Sequence, residues 1–407
     1  MGLDKEAARV LVTVSGRDTP GITASLTGIL DENGATLLDI EQVVVQGQLT
    51  LCLLIVAHEG RARGVLKDLL FQAKDMGLDL DFQVLEPSEG RSTLRHRYAV
   101  TAIGDSVDAG GVHQIASVLA RHDANIDTIR RLSGDSNLQS VEFVLSLAPD
   151  VAVANALRAD LLQLSGETDM DIALQRENLS RRSKRLVVMD MDSTLIQIEI
   201  IDEMARVYGV VEQVAEITRR AMAGELVFEE SLRERVKLLE GMPFDAVQRL
   251  AADLPITEGA EQLLSVLRGL GYKTGVISGG FTFAADALKQ RLGLDYAYAN
   301  QLEVKDGKLT GRVKEPIVGP QRKADLLDAI AQREGIPLEQ TIAIGDGAND
   351  LSMLQQAGLG IAFHAKPKLR EAADTSLSRG GLDRILYLLG LSADDVREFL
   401  EASPIGA

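Results

Sequence analysis

Cysteine is almost absent from this chain of 407 residues: the single one, Cys52, sits in the apolar run Leu51–Val56. A lone thiol excludes an intrachain disulfide and suits a reducing compartment; within such a run it reads as a small buried hydrophobe. Positive charge is also scarce. With 43 Lys and Arg against 60 Asp and Glu, the formal charge is −17, which excludes a general nucleic-acid binder with a basic face. An anionic ligand would need local help from Arg, Lys or a metal ion. No apolar run approaches the roughly 18–20 residues of a membrane span, so no membrane association is expected. The first residues lack a basic segment leading into a long apolar one, which points to a cytoplasmic location. The rest of the composition, 45% hydrophobic and 25% charged, is that of a globular protein long enough for two or three domains.

Against these absences one stretch stands out. Leu186–Met189 is wholly apolar and rich in β-branched residues, as in a strand buried on both faces of a parallel sheet. It ends in two carboxylates, Asp190 and Asp192, followed by the hydroxyls of Ser193 and Thr194. Ligands of open α/β sheets bind at the carboxyl ends of strands. Two adjacent like charges repel unless a cation or a shared proton intervenes, and a hard dication such as Mg²⁺ suits the pair.

The chain before this stretch alternates in the order βαββαβ, twice. In the first copy, strands are expected over Ala8–Val14, 36–46, 49–57 and Asp79–Leu85, with helices over Ile22–Glu32 and Gly60–Met76. About ninety residues later the pattern returns, with strands Tyr98–Ile103, Asn125–Ser133, Gln139–Ala148 and Asp169–Gln175 and helices Val112–His122 and Asp150–Gly166. Each copy is a ferredoxin-like unit. Linkers are expected at Pro87–Ser92 and at Glu177–Lys184, giving domains over 1–88, 93–176 and 184–395. The loop Gly16-Arg-Asp-Thr-Pro-Gly21 before the first helix resembles the ligand loop of ACT domains, small regulatory modules that bind amino acids at paired interfaces. The resemblance implies that Gly16, Asp18 and Gly21 form an effector site, for L-serine or another amino acid, in a homodimer. In the second copy the corresponding loop, Gly104–Gly111, is longer and has no proline.

After Asp190, residues 197–252 read as a charge-rich helical insertion, and strands and helices then alternate. Strands are expected at Lys273–Ile277, Tyr296–Leu302, Thr341–Ile344 and Leu359–Phe363, with a hairpin centred on Asp306-Gly307. Helices are expected at 258–270, 281–293, 320–334, 349–357 and 367–375. The fold class is α/β: a doubly wound parallel sheet carrying a helical cap, behind two ferredoxin-like domains. Three more strand or helix ends carry polar groups. Ser278-Gly279-Gly280 offers a hydroxyl and backbone N–H groups suited to phosphate. Lys323 opens a helix, where a cation opposes the macrodipole unless an anion is near. Gly345-Asp-Gly-Ala-Asn-Asp350 sets two acids and an amide among small residues, as in a metal site open to ligand.

These four elements, Asp-X-Asp-Ser-Thr, a Ser-Gly strand end, an isolated Lys and Gly-Asp-Gly-X-Asn-Asp, resemble the haloacid dehalogenase superfamily of phosphatases across residues 186–365. The resemblance implies Asp190 as nucleophile forming an aspartyl phosphate and Asp192 as general acid and base. It further implies Mg²⁺ held by Asp190, the Asp192 backbone carbonyl and Asp346, with Asp350 close by, and Ser278 and Lys323 on the phosphoryl oxygens. Within the insertion, Glu199 and the stretch Met222–Arg235 closely resemble the cap of phosphoserine phosphatases. By that resemblance Glu199 meets a substrate ammonium, Arg235 its carboxylate, and Met222 and Phe228 shield the ester, while Ser193, Gly279, Gly280 and Asn349 complete the contacts to O-phospho-L-serine. Two other readings stay open: a phosphatase or phosphotransferase of this fold acting on another small ester, and an amino-acid sensor whose phosphatase domain is idle.

Overall fold

The computed structural model describes residues 8–57, 62–85, 95–134 and 139–402. The expected helix start at Gly60 and the linker Pro87–Ser92 lie outside them. The chain divides into two compact units, Met1–Thr93 and Leu94–Ala407.

The first unit contains β1 (Ala8–Arg17), α1 (Ile22–Glu32), β2 (Thr36–Val45), β3 (Gln48–Ala57), α2 (Ala62–Asp75) and β4 (Asp79–Leu85). Its antiparallel sheet has the order β2-β3-β1-β4. Period-two alternation puts Val10, Val12 and Val14 with Leu49, Leu51, Leu53 and Ile55 on one face, under Ile22, Leu26 and Leu30 of α1. The same alternation turns Cys52 to the other face, where it is half-buried beside Thr13; it is not the core hydrophobe its apolar neighbours suggest. Strand β1 also runs past Val14 to Arg17. A Cβ on Gly16 would lie 2.6 Å from Leu78 Cδ2, so only a residue without a side chain lets the strand pass there.

The second unit opens with β5 (His96–Gly104), α3 (Ala109–Arg121), β6 (Asn125–Arg131), β7 (Ser140–Leu147), α4 (Val151–Glu167) and β8 (Met170–Arg176), in the sheet order β6-β7-β5-β8. Helix α3 begins three residues before the expected Val112 because Asp108 caps it, its carboxylate accepting the Gly111 N–H at 2.8 Å. One sheet face packs on α3 and α4. The other packs on the parallel-sheet domain that follows, whose core takes in Ile103 and Ala173. Across this seam Gln175 donates to the Leu388 carbonyl (2.9 Å) and Asp171 accepts the Ser378 N–H (2.8 Å).

The stretch expected as a linker contains a short helix, α5 (Leu179–Arg182), whose Arg181 is buried against fully buried Glu142 and also pairs with Glu177 at 2.6 Å. Beyond it come β9 (Leu186–Met189) and four inserted helices, α6 (Ile200–Tyr208), α7 (Val211–Met222), α8 (Phe228–Lys237) and α9 (Phe244–Ala252). The chain then returns through α10 (Ala260–Gly269), β10 (Lys273–Phe281), α11 (Thr282–Leu292) and β11 (Tyr296–Asn300). The hairpin β12 (Leu302–Lys305) and β13 (Lys308–Val313) turns at Asp306 and Gly307, both at positive φ, as a two-residue turn requires. Next are α12 (Pro320–Glu334), β14 (Thr341–Gly345), α13 (Leu351–Gln356), β15 (Gly360–Phe363), α14 (Pro367–Ala372) and β16 (Thr375–Leu377). Two further helices, α15 (Ile385–Leu388) and α16 (Ala393–Ala402), close the described chain.

The parallel sheet runs β11-β10-β9-β14-β15-β16. Strand β9 is buried along its whole length, as its composition requires. It lies between β10 and β14, where the winding reverses, so the crevice beyond its carboxyl end is the natural ligand position. Strand β10 extends to Phe281, which places Ser278, Gly279 and Gly280 in the strand instead of in a turn after it.

The ion pairs of Glu142 generate a prediction. Burial pushes its carboxyl up, but the Arg181 charge and hydrogen bonds from Arg130 and Arg181 outweigh burial and hold it below the usual 4.5. Its contribution is therefore complete above that value and drains away as pH falls through the lower, folded one. Glu142→Gln is expected to cost about 3 kcal/mol in urea unfolding at pH 7, by leaving buried Arg181 with Glu177 as its one carboxylate partner, and to flatten the acid limb of the stability curve.

Candidate active site

The loop after β9 is pinned before any ligand is considered. Asp190 N–H donates to the Ile344 carbonyl on β14 (2.9 Å), and the Asp190 carboxylate accepts the Met191 N–H at 2.7 Å, which fixes its rotamer. Ser193 takes φ 56°, a left-handed value that a serine adopts at a cost of order 1 kcal/mol. The turn it makes lets Ser193 Oγ donate to Glu199 Oε1 (2.9 Å), while the Asp192 carboxylate accepts the Ile200 N–H at the start of α6 (3.1 Å). The first strand end and the first cap helix are thus tied together by two carboxylates.

Lys323, in the first turn of α12, has no exposed surface. Its ammonium lies 2.8 Å from Asp190 Oδ2 and 2.6 Å from Asp350 Oδ1. Burial alone would draw the lysine down; the charges of Asp190 and Asp350 and their hydrogen bonds outweigh it and hold the group above the usual lysine range. Asp350 is oriented by the Gly347 N–H at 3.0 Å, and a Cβ on Gly345 would lie 2.4 Å from Asp350 Cγ, which explains the glycine there. Asn349 donates to Asp190 Oδ2 at 3.3 Å, and Asp346 accepts from Thr194 Oγ1 at 3.3 Å.

Asp190, Asp346 and Asp350 each offer a carboxylate oxygen, and these oxygens lie within 4.8 Å of one another. Lys323 is the ammonium among them. Burial, then the neighbouring Asp190, pushes Asp346 up to about 7 and Asp350 up to about 8, even with Lys323 pulling the other way. One ammonium therefore leaves negative charge in excess, and a donor set of hard oxygens with surplus charge fits a hard divalent cation. Asp192 stands well above the ordinary carboxyl range, first by burial and then through the charges of Glu199 and Asp190.

On β10, Ser278 is buried and its Oγ accepts the Gly280 N–H at 2.8 Å, leaving the hydroxyl proton for another acceptor. Cβ atoms on Gly279 and Gly280 would lie 2.8 Å from Phe228 Cζ and 2.7 Å from Asp192 Oδ2 respectively, so both glycines are there for close approach. Phe228, the first residue of α8, thereby closes over the strand end. Arg235, two turns further along, donates to the Ser231 carbonyl at 3.3 Å; burial draws its guanidinium down and outweighs the opposing charges of Glu199, Asp202 and Asp192. Met222 is not gathered with these residues. Helix α7 ends there, Gly224 turns the chain at φ 81°, and the methionine stands 68% exposed.

Three participants were given no role of their own in the sequence reading. Asn300, buried at the end of β11, donates to the Gly279 carbonyl (2.8 Å) and accepts the Val318 N–H (2.7 Å), bracing the Ser-Gly strand end. Thr194 orients Asp346, and Asp202 adds negative charge beside Arg235. Of these only Thr194 lay within a recognisable motif. The residues expected to form an effector loop lie in the first unit: Gly16 at the end of β1, Gly21 at φ 98° capping α1, and Asp18 between them with its N–H on the Gly47 carbonyl at 2.9 Å.

Comparison with known proteins bears on the whole chain. The haloacid dehalogenase-like hydrolase family matches residues 184–358, and ACT domain families match 8–83 and 95–175. A phosphoserine phosphatase of Streptomyces coelicolor is 43% identical over 388 residues, 95% of this chain and 93% of its own. Phosphoserine phosphatase SerB2 of Mycobacterium tuberculosis is 41% identical over 391 residues, 95% and 94% of the two chains. Among solved structures, a HAD family hydrolase from Salmonella enterica serovar Typhi has a TM-score of 0.63 at 31% identity, covering 72% of this chain and 98% of that one. A probable phosphoserine phosphatase from Vibrio cholerae, in unliganded form, has a TM-score of 0.56 at 35% identity, covering 74% and 89%. With the crevice of acids around Lys323 behind two ferredoxin-like folds, these similarities place the chain among the phosphoserine phosphatases, haloacid dehalogenase-like hydrolases that here carry two ACT domains.

Proposed function

We propose that the enzyme hydrolyses O-phospho-L-serine to L-serine and phosphate through an aspartyl phosphate on Asp190, with Mg²⁺ as cofactor, as the last step of serine biosynthesis. The observation that carries this reading is the buried ammonium of Lys323 between Asp190 and Asp350. A carboxylate attacks a phosphate dianion only where repulsion is cancelled, and this is where the chain cancels it. Asp190 attacks phosphorus as the bond to the serine oxygen breaks. Asp192, kept protonated by burial and by Glu199 and Asp190, gives its proton to that oxygen. Asp192 then takes a proton from the water that attacks the aspartyl phosphate, releasing phosphate and restoring Asp190.

Ser278, Lys323, and the backbone of Gly279 and Gly280 hold the phosphoryl oxygens, with Ser193 and Asn349 beside them. Asp190, Asp346, Asp350 and the Asp192 carbonyl would hold Mg²⁺, which when bound neutralises charge on the phosphoryl group. Glu199 receives the substrate ammonium and Arg235 its carboxylate; Phe228 excludes water, and Met222 joins it only if the turn after α7 folds inward. The ACT domains carry the regulatory part: an amino acid, L-serine first among the candidates, at the loop of Gly16, Asp18 and Gly21, in a homodimer. The outer strands β2 and β4 leave Leu38, Val43, Phe82 and Val84 exposed, which supports pairing of the first unit.

Initial rates of phosphate release test the reaction. Turnover on O-phospho-L-serine should require Mg²⁺, vanish in excess EDTA and exceed that on phosphothreonine or aryl phosphates; a preference for another ester would discard the cap assignment. Asp190→Asn should lower kcat by about a thousandfold or more while its circular dichroism stays that of the folded chain; retained activity would sink the covalent route. Arg235→Ala should raise KM for phosphoserine about tenfold or more while leaving an aryl phosphate nearly unaffected. Equal losses on both substrates would count against carboxylate recognition. Serine titrated into the assay should inhibit in a pattern other than purely competitive; competitive inhibition alone would remove the effector role.

A further inference from the structure

A polar cavity of about 240 Å³ lies in the seam between the second ACT domain and the parallel sheet. Arg158, Arg176, Arg181, Lys184, Glu339 and Asp374 line it. Its position is remote from the active-site crevice: Lys184 precedes β9, and Glu339 precedes β14, so the cavity sits at the amino ends of strands whose carboxyl ends carry the catalytic acids.

Two buried cations here have donors with nothing to bind. Lys184 is 5% exposed, gives one hydrogen bond, to the Glu339 carbonyl at 2.5 Å, and forms no ion pair among the described residues. Arg181 is 4% exposed and commits both terminal nitrogens to Glu142 and Glu177, yet its buried Nε has no hydrogen-bond partner. The nearby acids do not fill the need. Asp374 accepts the Gly360 N–H at 2.9 Å and faces Arg158 at 3.7 Å, and the Glu339 side chain is exposed to water. Burial draws the Lys184 ammonium down to about 8, against the pull of Asp374 and Glu339. An ammonium and a guanidinium N–H, both withdrawn from water beside a polar cavity, are costly unless an acceptor enters.

We propose that this cavity is a binding site for a small oxyanion, a phosphate or a carboxylate, held by Lys184 and Arg181 at the joint of the second ACT domain and the hydrolase domain. The anion would bridge α5, the approach to β14 and the loop before β16. Its occupancy would stiffen the seam through which the ACT domain reaches the sheet.

Crystals of the full chain soaked in selenate test the site directly, because the selenium anomalous signal needs no substitution. The expected result is a peak in the seam cavity within hydrogen-bonding distance of Lys184 Nζ. A peak only in the active-site crevice, or none, overturns the proposal. Displacement of the seam peak by inorganic phosphate but not acetate identifies a phosphate site, and the reverse a carboxylate site. In equilibrium dialysis with labelled phosphate, Lys184→Met should weaken the seam equivalent about tenfold, the effect of losing one charge-assisted hydrogen bond. Lys184→Arg should retain it, and both variants should keep wild-type turnover at saturating phosphoserine. Where phosphate displaces the seam selenate, unchanged phosphate binding in folded Lys184→Met would also overturn the assignment.

Discussion

The ammonium of Lys323 is the constraint around which the catalytic half is arranged. Asp190, Asp192, Glu199, Asp346 and Asp350 crowd one crevice, and burial and neighbouring charges push Asp192, Glu199, Asp346 and Asp350 up. Without a buried cation, such a cluster would push its members toward the neutral form. Helix α12 supplies that cation from its first turn, where a lysine gains nothing from the helix dipole and everything from its two carboxylate neighbours. The glycines of the crevice follow from the same crowding. Gly345 admits Asp350, Gly280 admits Asp192, and Gly279 admits the ring that closes the cap.

The second buried charge network, Glu142 with Arg130 and Arg181, serves a different end. It joins a ferredoxin-like sheet to the hydrolase domain through a helix of only four residues. A pair taken out of water contributes little net stability, but breaking it is expensive, so it fixes one relative placement against others. Hydrogen bonds from Gln175 and to Asp171 act in the same direction, because each would leave an unpaired buried group if the seam slipped.

Much of this was legible in the residues. An apolar run that ends in acids can be placed in a parallel sheet because period, burial and topology all agree, and β9 and β14 are such runs. The hairpin at Asp306-Gly307 was readable because its turn demands positive φ. What escaped was set by distant partners. Asn300 looks like any strand-end amide until Gly279 and Val318 close on it. Strand β16 is three residues long and becomes a strand only by lying beside β15. Cys52 was misjudged because an unbroken apolar run hides which face each residue takes, and a motif cannot say whether the helix end that carries exposed Met222 turns inward.

The two ACT repeats, so alike in element order, differ in how separable they are. The core of the first is self-contained: its cluster runs from Val10 to Leu78 and takes in nothing from Leu94 onward. The second lends Ile103 and Ala173 to the hydrolase core and receives Arg181 in return. A chain begun after Thr93 would leave each of the remaining described clusters whole, whereas one begun at β9 would tear a hole in the catalytic domain. The described core of the first repeat is thus its own, while that of the second is shared with the domain that carries the acids.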